Sequence, residues 1–356
     1  MKVVCTRCGV VAQRGTTWCQ NSSTRCPPDT LSRIYDPGDA IEDITILSLL
    51  AVLPASAVYR ARRGKQTVLL KIAHRGQEDT LKQEAKIVAK AEAHPAIPRL
   101  VAISDGHKQA HGKLTVQSET HYFCLFEDFD GALLRRSLMH NAQQASQFTG
   151  QFVLSVAEAI AVLHRRSNLL LLSLSPDTIL VRTDAHGVSR PLLVDFSRAC
   201  RPLTKSPIRT LNATHMAYLA PEELRQERCT PAADVYKLAL LMYEMLVGEP
   251  AFPHTPYEEE VVKDQILSHT PRPLRQRRPE ISGVVSHVVE QGMRKAPDQR
   301  PRSVRRWVQH LLPVFGVVEP ERPRGFHIQR RVVIGSILLA IVLLLVFLLF
   351  LALSIR

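Results

Sequence analysis

The chain has 356 residues, 45% of them hydrophobic, which is enough for one large domain with small appendages. A formal net charge of +13 is compatible with nucleic acid, an anionic membrane surface or acidic partners. The dense basic runs lie at Arg275–Arg278 and Arg322–Arg331, and Phe326 is their single aromatic residue, too little for stacking on single-stranded nucleic acid. Since no nucleic-acid module is recognisable, we predict protein and membrane partners and no nucleic acid.

The first 30 residues contain four of the seven cysteines, namely Cys5, Cys8, Cys19 and Cys26. Cys5 and Cys8 form a C-x2-C pair, in which one tight turn can present both thiolates to a tetrahedral zinc ion. Six residues separate Cys19 from Cys26, more than the usual two to four, so two interpretations stay open. Residues 1–30 form a zinc-ribbon-like cluster, or they form a metal-free, disordered arm.

Short β-branched and apolar runs within residues 41–130 predict strands. One charged amphipathic stretch among them, residues 81–94, predicts a helix. From about Ser146 the pattern becomes helical, with long apolar segments at residues 152–166 and 235–248. A β-rich segment followed by a larger helical one predicts an α+β fold with two subdomains.

The C-terminal segment Val332–Ile355 contains 24 residues and no charge. A helix needs about 20 apolar residues to cross a bilayer, and a buried core helix is rarely apolar all round over this length. His327, Arg330 and Arg331 precede the segment, so the positive-inside rule predicts that the N-terminal domain is cytoplasmic. We therefore predict a single-pass membrane protein, with a transmembrane helix at residues 332–355 and a basic juxtamembrane linker at residues 315–331.

Several strings in residues 44–314 resemble the eukaryotic-type Ser/Thr protein kinase family, which is widespread in bacteria. The strings occur in the family's order and are VYRAR…TVLLKIA, LSPDTILV…LLVDFSRA, MAYLAPEEL, ADVYKLALLMYEMLVGEPAF and DQRPRSV. Each string alone is a weak signal, but five in order are hard to produce by chance. The resemblance implies a bilobal protein-kinase-like fold, with a β-rich small lobe and a helical large lobe, and it implies ATP with magnesium as the ligand.

Three residues match the positions with which this family holds its nucleotide. Lys71 matches the lysine that contacts the α- and β-phosphates, and Glu84 matches the helix glutamate that orients this lysine. Asp195 matches the magnesium-binding aspartate of the family's Asp-Phe-Gly motif, whose glycine is replaced by Ser197. For Lys71 and Glu84 the alternative is a pair of ordinary surface charges, because both residue types are mostly exposed.

The family's glycine-rich loop corresponds to Ala51–Ala57, which contains no glycine. Glycine lets the backbone of such a loop approach the phosphates closely and adopt positive φ. Pro54 also lacks the N–H with which the loop binds phosphate oxygens. We therefore expect reduced nucleotide affinity.

No catalytic residue of the family's catalytic loop is intact, because three positions have changed. On the register anchored by Pro176, Ser173 replaces the proton-accepting aspartate, Ser175 the phosphate-contacting lysine and Thr178 the second metal ligand. A serine hydroxyl is not a base near neutral pH without an activator, and losing a general base costs about 10²–10⁴-fold in rate. Asp177 is the nearest carboxylate, and the register predicts that it points away from the site.

The residues that stabilise the family's large lobe are present. Glu222 and Arg300 match a buried ion pair, and Asp234 matches a helix-capping aspartate beneath the catalytic loop. The resemblance therefore implies a kinase fold that persists while its chemistry is eroded.

Three functional hypotheses follow from this pattern of kept and lost residues. The first is a membrane-anchored pseudokinase, a signalling or interaction module with weak ATP binding through Lys71 and Asp195. The second is an active but unorthodox Ser/Thr protein kinase, because phosphoryl transfer depends mostly on positioning. The third is a zinc-ribbon adaptor whose kinase-like domain does not respond to nucleotide.

Overall fold

The computed structural model describes the residues of the following ranges: 2–6, 11–13, 19, 26, 31–103, 111–116, 119–140, 142–207, 213–253 and 259–315. These residues belong to one compact unit, Met1–Phe315. The predicted membrane segment Val332–Ile355 and the predicted zinc ligand Cys8 lie outside the described residues.

The N-terminal half of this unit is mostly β-structure. Its elements are β1 (Lys2–Cys5), β2 (Val11–Gln13), β3 (Leu31–Ile34), β4 (Ala40–Ile41), β5 (Ile44–Val52), β6 (Ser56–Arg63), β7 (Gln66–Ala73), α1 (Glu78–Lys90), β8 (Gly112–Val116) and β9 (Glu119–Glu127). The strands form a three-stranded sheet in the order β2-β1-β3 and a six-stranded sheet in the order β4-β5-β6-β7-β9-β8. All pairings in both sheets are antiparallel.

The C-terminal half is mostly helical. Its elements are β10 (Ala132–Leu133), α2 (Leu134–His140), α3 (Ala142–Val162), β11 (Ile179–Thr183), β12 (Ser189–Leu193), α4 (Ala213–Met216), α5 (Pro221–Leu224), α6 (Pro231–Val247), α7 (Glu259–Ser268), α8 (Leu274–Arg277), α9 (Gly283–Gly292), α10 (Val304–Gln309) and α11 (Leu312–Phe315). A β-rich small lobe followed by a helical large lobe confirms the predicted α+β arrangement.

Helix α1 is shifted toward the N-terminus relative to the predicted stretch at residues 81–94. Its first turn begins with Glu78 and Asp79, whose carboxylates are favourable next to the helix N-terminus. It ends at Lys90 because Ala91 is extended, with φ −66° and ψ 141°. The amphipathic pattern identified the helix, but its ends depend on charge and backbone conformation.

Both faces of β7 are buried from Val68 to Ala73, which explains why this strand reads as an almost continuous apolar run. Val68, Leu70 and Ile72 face outward into a small core that also contains Val4 of β1 and Ile34 of β3. The N-terminal strands β1 and β3 therefore cover the outer face of the small lobe, so their contribution to the fold includes core packing.

The large lobe is built around α3 and α6, which pack against each other and against α9, α10 and β12. Helix α6 starts with Pro231 and ends before Gly248, whose φ of +86° suits glycine at a helix C-terminus. Among the described residues, Ser146–Ser167 forms a helix long and apolar enough to cross a membrane, but more than half of its apolar window is buried inside this lobe. We interpret it as a core helix.

Candidate nucleotide and catalytic site

Strand β7 places Lys71 on the inner face of the small lobe, opposite helix α1. Alternation along the strand puts Leu69, Lys71 and Ala73 on the same face, where Leu69 and Ala73 enter the main core of the molecule. Glu84 lies on the buried side of α1, together with Leu81, Ala85 and Val88. The two charged residues therefore meet inside the protein.

Lys71 and Glu84 form a buried ion pair, since their side chains are each 2% exposed. The Lys71 ammonium also donates to the carbonyl oxygen of Val194 at 2.7 Å, and Glu84 accepts from the backbone N–H of Phe196 at 3.0 Å. Burial raises the pKa of the Glu84 carboxyl, and the nearby Lys71 opposes that shift. The structure thus excludes the alternative of two surface charges, and it ties both residues to the segment that carries Asp195.

Asp195 follows β12 and is buried at the junction of the two lobes. Its Oδ1 accepts from the backbone N–H of Ser197 at 2.9 Å, which orients the carboxylate. Its own backbone carbonyl accepts a hydrogen bond from the Ser173 hydroxyl at 2.5 Å. The structure therefore brings Asp195 and the catalytic-loop position Ser173 together.

The other two substituted residues of the catalytic loop, Ser175 and Thr178, are hydrogen-bonded to each other. The Thr178 hydroxyl donates to the carbonyl of Ser175 and accepts from its N–H, both at 2.9 Å. The Ser175 hydroxyl accepts from the N–H of Asp177 at 3.3 Å. These side chains cap the short 3₁₀ turn Pro176–Thr178, so they stabilise the loop in place of contacting a phosphate or a metal.

Asp177 points toward helix α2, as its register predicts. Its carboxylate accepts from the guanidinium of Arg135 at 2.9 Å, and Arg135 also pairs with Glu244. Beside the loop serines lies a cavity of about 20 Å³, and among the residues that line it only Asp195 is acidic. No lining residue except Asp195 therefore supplies a carboxylate to this cavity.

The residues predicted to hold the large lobe together do meet. Arg300 donates to both carboxylate oxygens of Glu222, at 2.8 and 2.9 Å, and both residues are buried. Asp234 accepts from the backbone N–H groups of Leu171 and Leu172, each at 2.9 Å, and from His164 at 2.8 Å. The expectation that Asp234 caps a helix needs correction, because it lies inside the first turn of α6 and binds the catalytic loop.

Comparison with known proteins agrees with this geometry. The family model for the protein kinase domain matches residues 55–312. The chain belongs to the protein kinase family. The bilobal fold is therefore that of a protein kinase.

Several serine/threonine-protein kinases are similar to this kinase domain. PkaA of Streptomyces coelicolor is 32% identical over 177 residues, which are 48% of this chain and 30% of PkaA. AtPK2/AtPK19 of Arabidopsis thaliana is 23% identical over 271 residues, which are 73% of this chain and 51% of that protein. PknB of Mycobacterium leprae is 26% identical over 231 residues, 64% of this chain and 35% of PknB. The chain spans about half or less of the length of these relatives.

The turn that replaces the kinase glycine-rich loop is closed by its own backbone. The N–H of Leu53 donates to the carbonyl of Ser56 at 2.8 Å, and the Leu53 side chain is 1% exposed within the main core. A cavity of about 10 Å³ lies beside Lys71, lined largely by apolar side chains such as Leu69 and Phe126. That space is at the lower limit for one water molecule, so a nucleotide does not fit it as it stands.

The residues of the kinase site fit ATP and magnesium only in part. Lys71 would contact phosphate oxygens and Asp195 would bind one metal ion; the hydrogen bonds of both residues to the protein orient them. Thr178 does not fit the role of a second metal ligand, because both functions of its hydroxyl are used by Ser175. The Leu53–Ser56 turn does not fit a phosphate cradle, because the N–H of Leu53 is bonded to Ser56 and Pro54 has no N–H to donate.

Sequence reasoning missed a buried charge network beneath the catalytic loop. Glu223 pairs with Lys237 of α6 at 2.7 Å and with Arg198 at 2.5 Å. Arg198 donates to the carbonyl of Leu172 at 2.9 Å, where Leu172 has a φ of +57°. The available signal was Lys237 within the largely apolar helix α6, because a buried lysine needs a partner. The network holds the strained loop, since an L-residue in the left-handed region costs about 1–3 kcal/mol.

Sequence reasoning also missed His74, three residues after Lys71. Its imidazole is buried and contacts both Ser32 of β3 and the carbonyl of Leu53. No local pattern marks it, because its partners are 42 and 21 residues away.

The cysteine cluster is partly described. The Sγ atoms of Cys5, Cys19 and Cys26 all lie within 4.8 Å of one another. A tetrahedral zinc ion with Zn–S distances of about 2.3 Å places its sulfur ligands about 3.8 Å apart. The three described sulfur atoms therefore suit one metal ion, and Cys8 lies outside the described residues.

Proposed function

We propose that this kinase-family protein is a pseudokinase, which acts as a signalling or interaction module and has lost phosphoryl transfer. The observation that carries the proposal is the hydrogen bond from the Ser173 hydroxyl to the Asp195 carbonyl. In this bond the hydroxyl of Ser173, at the catalytic-base position, is used for a structural contact. A serine is in any case too weak a base. The capping bonds of Ser175 and Thr178 support the same conclusion.

Weak nucleotide binding belongs to this proposal. Lys71, oriented by Glu84, would hold phosphate oxygens, and Asp195 would hold one magnesium ion. The metal ion would neutralise part of the phosphate charge. The nucleotide-independent adaptor is a competing proposal, favoured by the small cavity of about 10 Å³ beside Lys71.

The test is phosphate incorporation from labelled ATP, with magnesium or manganese, into the full-length chain and a generic protein substrate. We expect no incorporation by the wild type above that of the Asp195→Ala variant. A melting temperature that rises with ATP in the wild type but not in Lys71→Met would show that nucleotide still binds. The absence of a shift in either protein would favour the adaptor.

Incorporation that disappears in Asp195→Ala would contradict the pseudokinase proposal. The second candidate function is that of an active kinase with an unusual catalytic base. One observation favours it: His215 of α4 lines the same cavity as Ser173 and Asp195. Burial lowers the pKa of the imidazole, so its neutral form could accept a proton from a substrate hydroxyl. In that case His215→Gln should abolish the incorporation as well, with unchanged ATP binding.

We also propose that the protein is anchored in a membrane by residues 332–355, with the kinase domain in the cytoplasm. The uncharged length of the segment and the basic residues before it support this proposal. We expect the full-length chain to remain in the membrane fraction after alkaline carbonate extraction. A variant ending at Phe315 should be released, and equal behaviour of the two chains would contradict the anchor.

The cysteine cluster is proposed to hold one zinc ion, with Cys5, Cys19 and Cys26 as ligands and Cys8 as the fourth. The mutual distances of the three described sulfur atoms support this assignment. Such an ion would supply folding energy to the short N-terminal strands. Its presence is tested by the zinc content of the purified chain.

A further inference from the structure

His74 joins the N-terminal sheet to the Leu53–Ser56 turn, which stands at the position of the kinase glycine-rich loop. Its Nδ1 lies 2.8 Å from the Ser32 hydroxyl of β3, and its Nε2 lies 3.0 Å from the carbonyl oxygen of Leu53. Its backbone N–H donates to the carbonyl of Ala55 at 3.0 Å. One residue thus makes two contacts with the turn and one contact with the cysteine-rich segment.

The hydrogen-bond partners of the His74 ring determine which of its two nitrogens carries the proton. A carbonyl oxygen can only accept, so Nε2 of His74 carries a proton and donates it to Leu53. In the neutral imidazole Nδ1 is then an acceptor, and the Ser32 hydroxyl donates to it. Burial lowers the pKa of His74 to about 4, so the neutral form prevails near pH 7. Ser32 therefore fixes the tautomer that binds the turn.

Ser32 is in turn held by the strand that carries a cysteine of the cluster. In the antiparallel pairing of β1 with β3, Cys5 lies opposite Leu31 and Val4 lies opposite Ser32. Strands of four residues are marginally stable by themselves. A metal ion that joins Cys5 to Cys26, five residues before Leu31, would favour this pairing and hence the position of Ser32.

We propose that metal binding at the cysteine cluster is coupled through Ser32 and His74 to the Leu53–Ser56 turn, so that the metal-loaded protein holds this turn closed. The inference rests on the proposed zinc site and adds a regulatory role to it. Loss of the metal releases β3, the imidazole loses its orienting partner, and the turn opens more often. By linkage, a ligand that needs the turn open weakens metal binding by the same factor.

The experiment compares amide hydrogen exchange in the zinc-loaded and chelator-stripped full-length chain. The reporters are the N–H groups of Leu53 and His74, which bond to Ser56 and Ala55 in the closed turn. In the wild type we expect exchange on the order of tenfold faster after stripping, because a lost hydrogen bond changes a local opening equilibrium by about that factor. Zinc content is measured on the same samples.

Three variants make the test specific. Ser32→Ala removes only the hydroxyl that bonds to His74. The Leu53 and His74 amides should therefore exchange fast even with zinc bound, and their exchange should change little when zinc is stripped. His74→Phe keeps an aromatic ring of similar size and should behave in the same way. Ser189→Ala is the matched control, because Ser189 is as buried as Ser32, at 8%, and its hydroxyl bonds to Thr183 at 3.0 Å in the large lobe. It should respond to stripping like the wild type.

Each other result overturns a defined part of the inference. An equal response of Ser32→Ala and the wild type would exclude the path through His74. If the Leu53 and His74 amides still exchange slowly in wild-type protein that has lost its zinc, the coupling is excluded, but the proposed metal site is not. A purified chain that binds no zinc at all would overturn the metal site and the coupling together, and the metal measurement identifies that case.

Discussion

Replacing Glu223 by alanine is expected to destabilise the kinase domain by about 3–5 kcal/mol, because the change leaves two buried cations without their partner. Arg198 and Lys237 both bind this carboxylate, and all three side chains are almost completely buried. The loss is a large fraction of the roughly 5–15 kcal/mol that stabilises a typical domain. Urea unfolding of the Met1–Phe315 unit, followed by circular dichroism, measures it.

The control replaces the whole network at once, with Arg198→Met, Glu223→Met and Lys237→Met in one chain. Exchanging a buried ionic network for apolar side chains of similar volume is often neutral or stabilising. We therefore expect the triple variant to be more stable than Glu223→Ala alone. If the triple variant is equally unstable, the contribution of these residues is packing and hydrogen bonding to the loop, and the ionic explanation is wrong.

Removing Glu222 is expected to have a similar effect in a different part of the lobe, about 3–5 kcal/mol. Arg300 would keep its bonds to the carbonyls of Ala232, Arg294 and Lys295 but lose both bonds to the carboxylate. Its charge would then be buried without a counter-ion, since the side chains of the pair are 0% and 1% exposed. The same unfolding experiment measures the loss.

Glu227→Ala is the matched control for this prediction. Glu227 lies five residues further along the chain and is exposed. Exposed substitutions without a special partner usually change stability by about 0.5 kcal/mol or less. Similar losses in Glu222→Ala and Glu227→Ala would show that the buried pair does not stabilise this lobe.

The catalytic loop shows how much of a site local sequence can predict. Pro176 and the apolar residues after it locate the loop, and the identity of Ser173 is enough to infer a weak base. The same pattern places Asp177 away from the site, and the structure pairs it with Arg135. What the pattern does not contain is the bond from Ser173 to the Asp195 carbonyl, which joins residues 22 positions apart.

The N-terminal segment shows the opposite case. Its cysteine spacing leaves open a zinc-ribbon-like cluster or a metal-free, disordered arm, because a local pattern contains no information about distant packing. In the structure Val4 and Ile34 enter the same small core as Ile72 of β7. Ser32 reaches His74 across 42 residues. These long-range contacts connect the N-terminal segment to the rest of the small lobe.

The sequence by itself determined the family and the order of the lobes, and it showed that Lys71, Glu84, Asp195 and Ser173 align with the family's site positions, because each depends on residue identity at short, ordered spacings. The tertiary structure alone decided that Leu53 is buried in the main core. It also decided that Glu223 balances two cations and that His74 contacts the N-terminal sheet. Burial and charge pairing depend on which distant side chains meet, and the free energy of a buried charge or hydrogen bond is set by those partners.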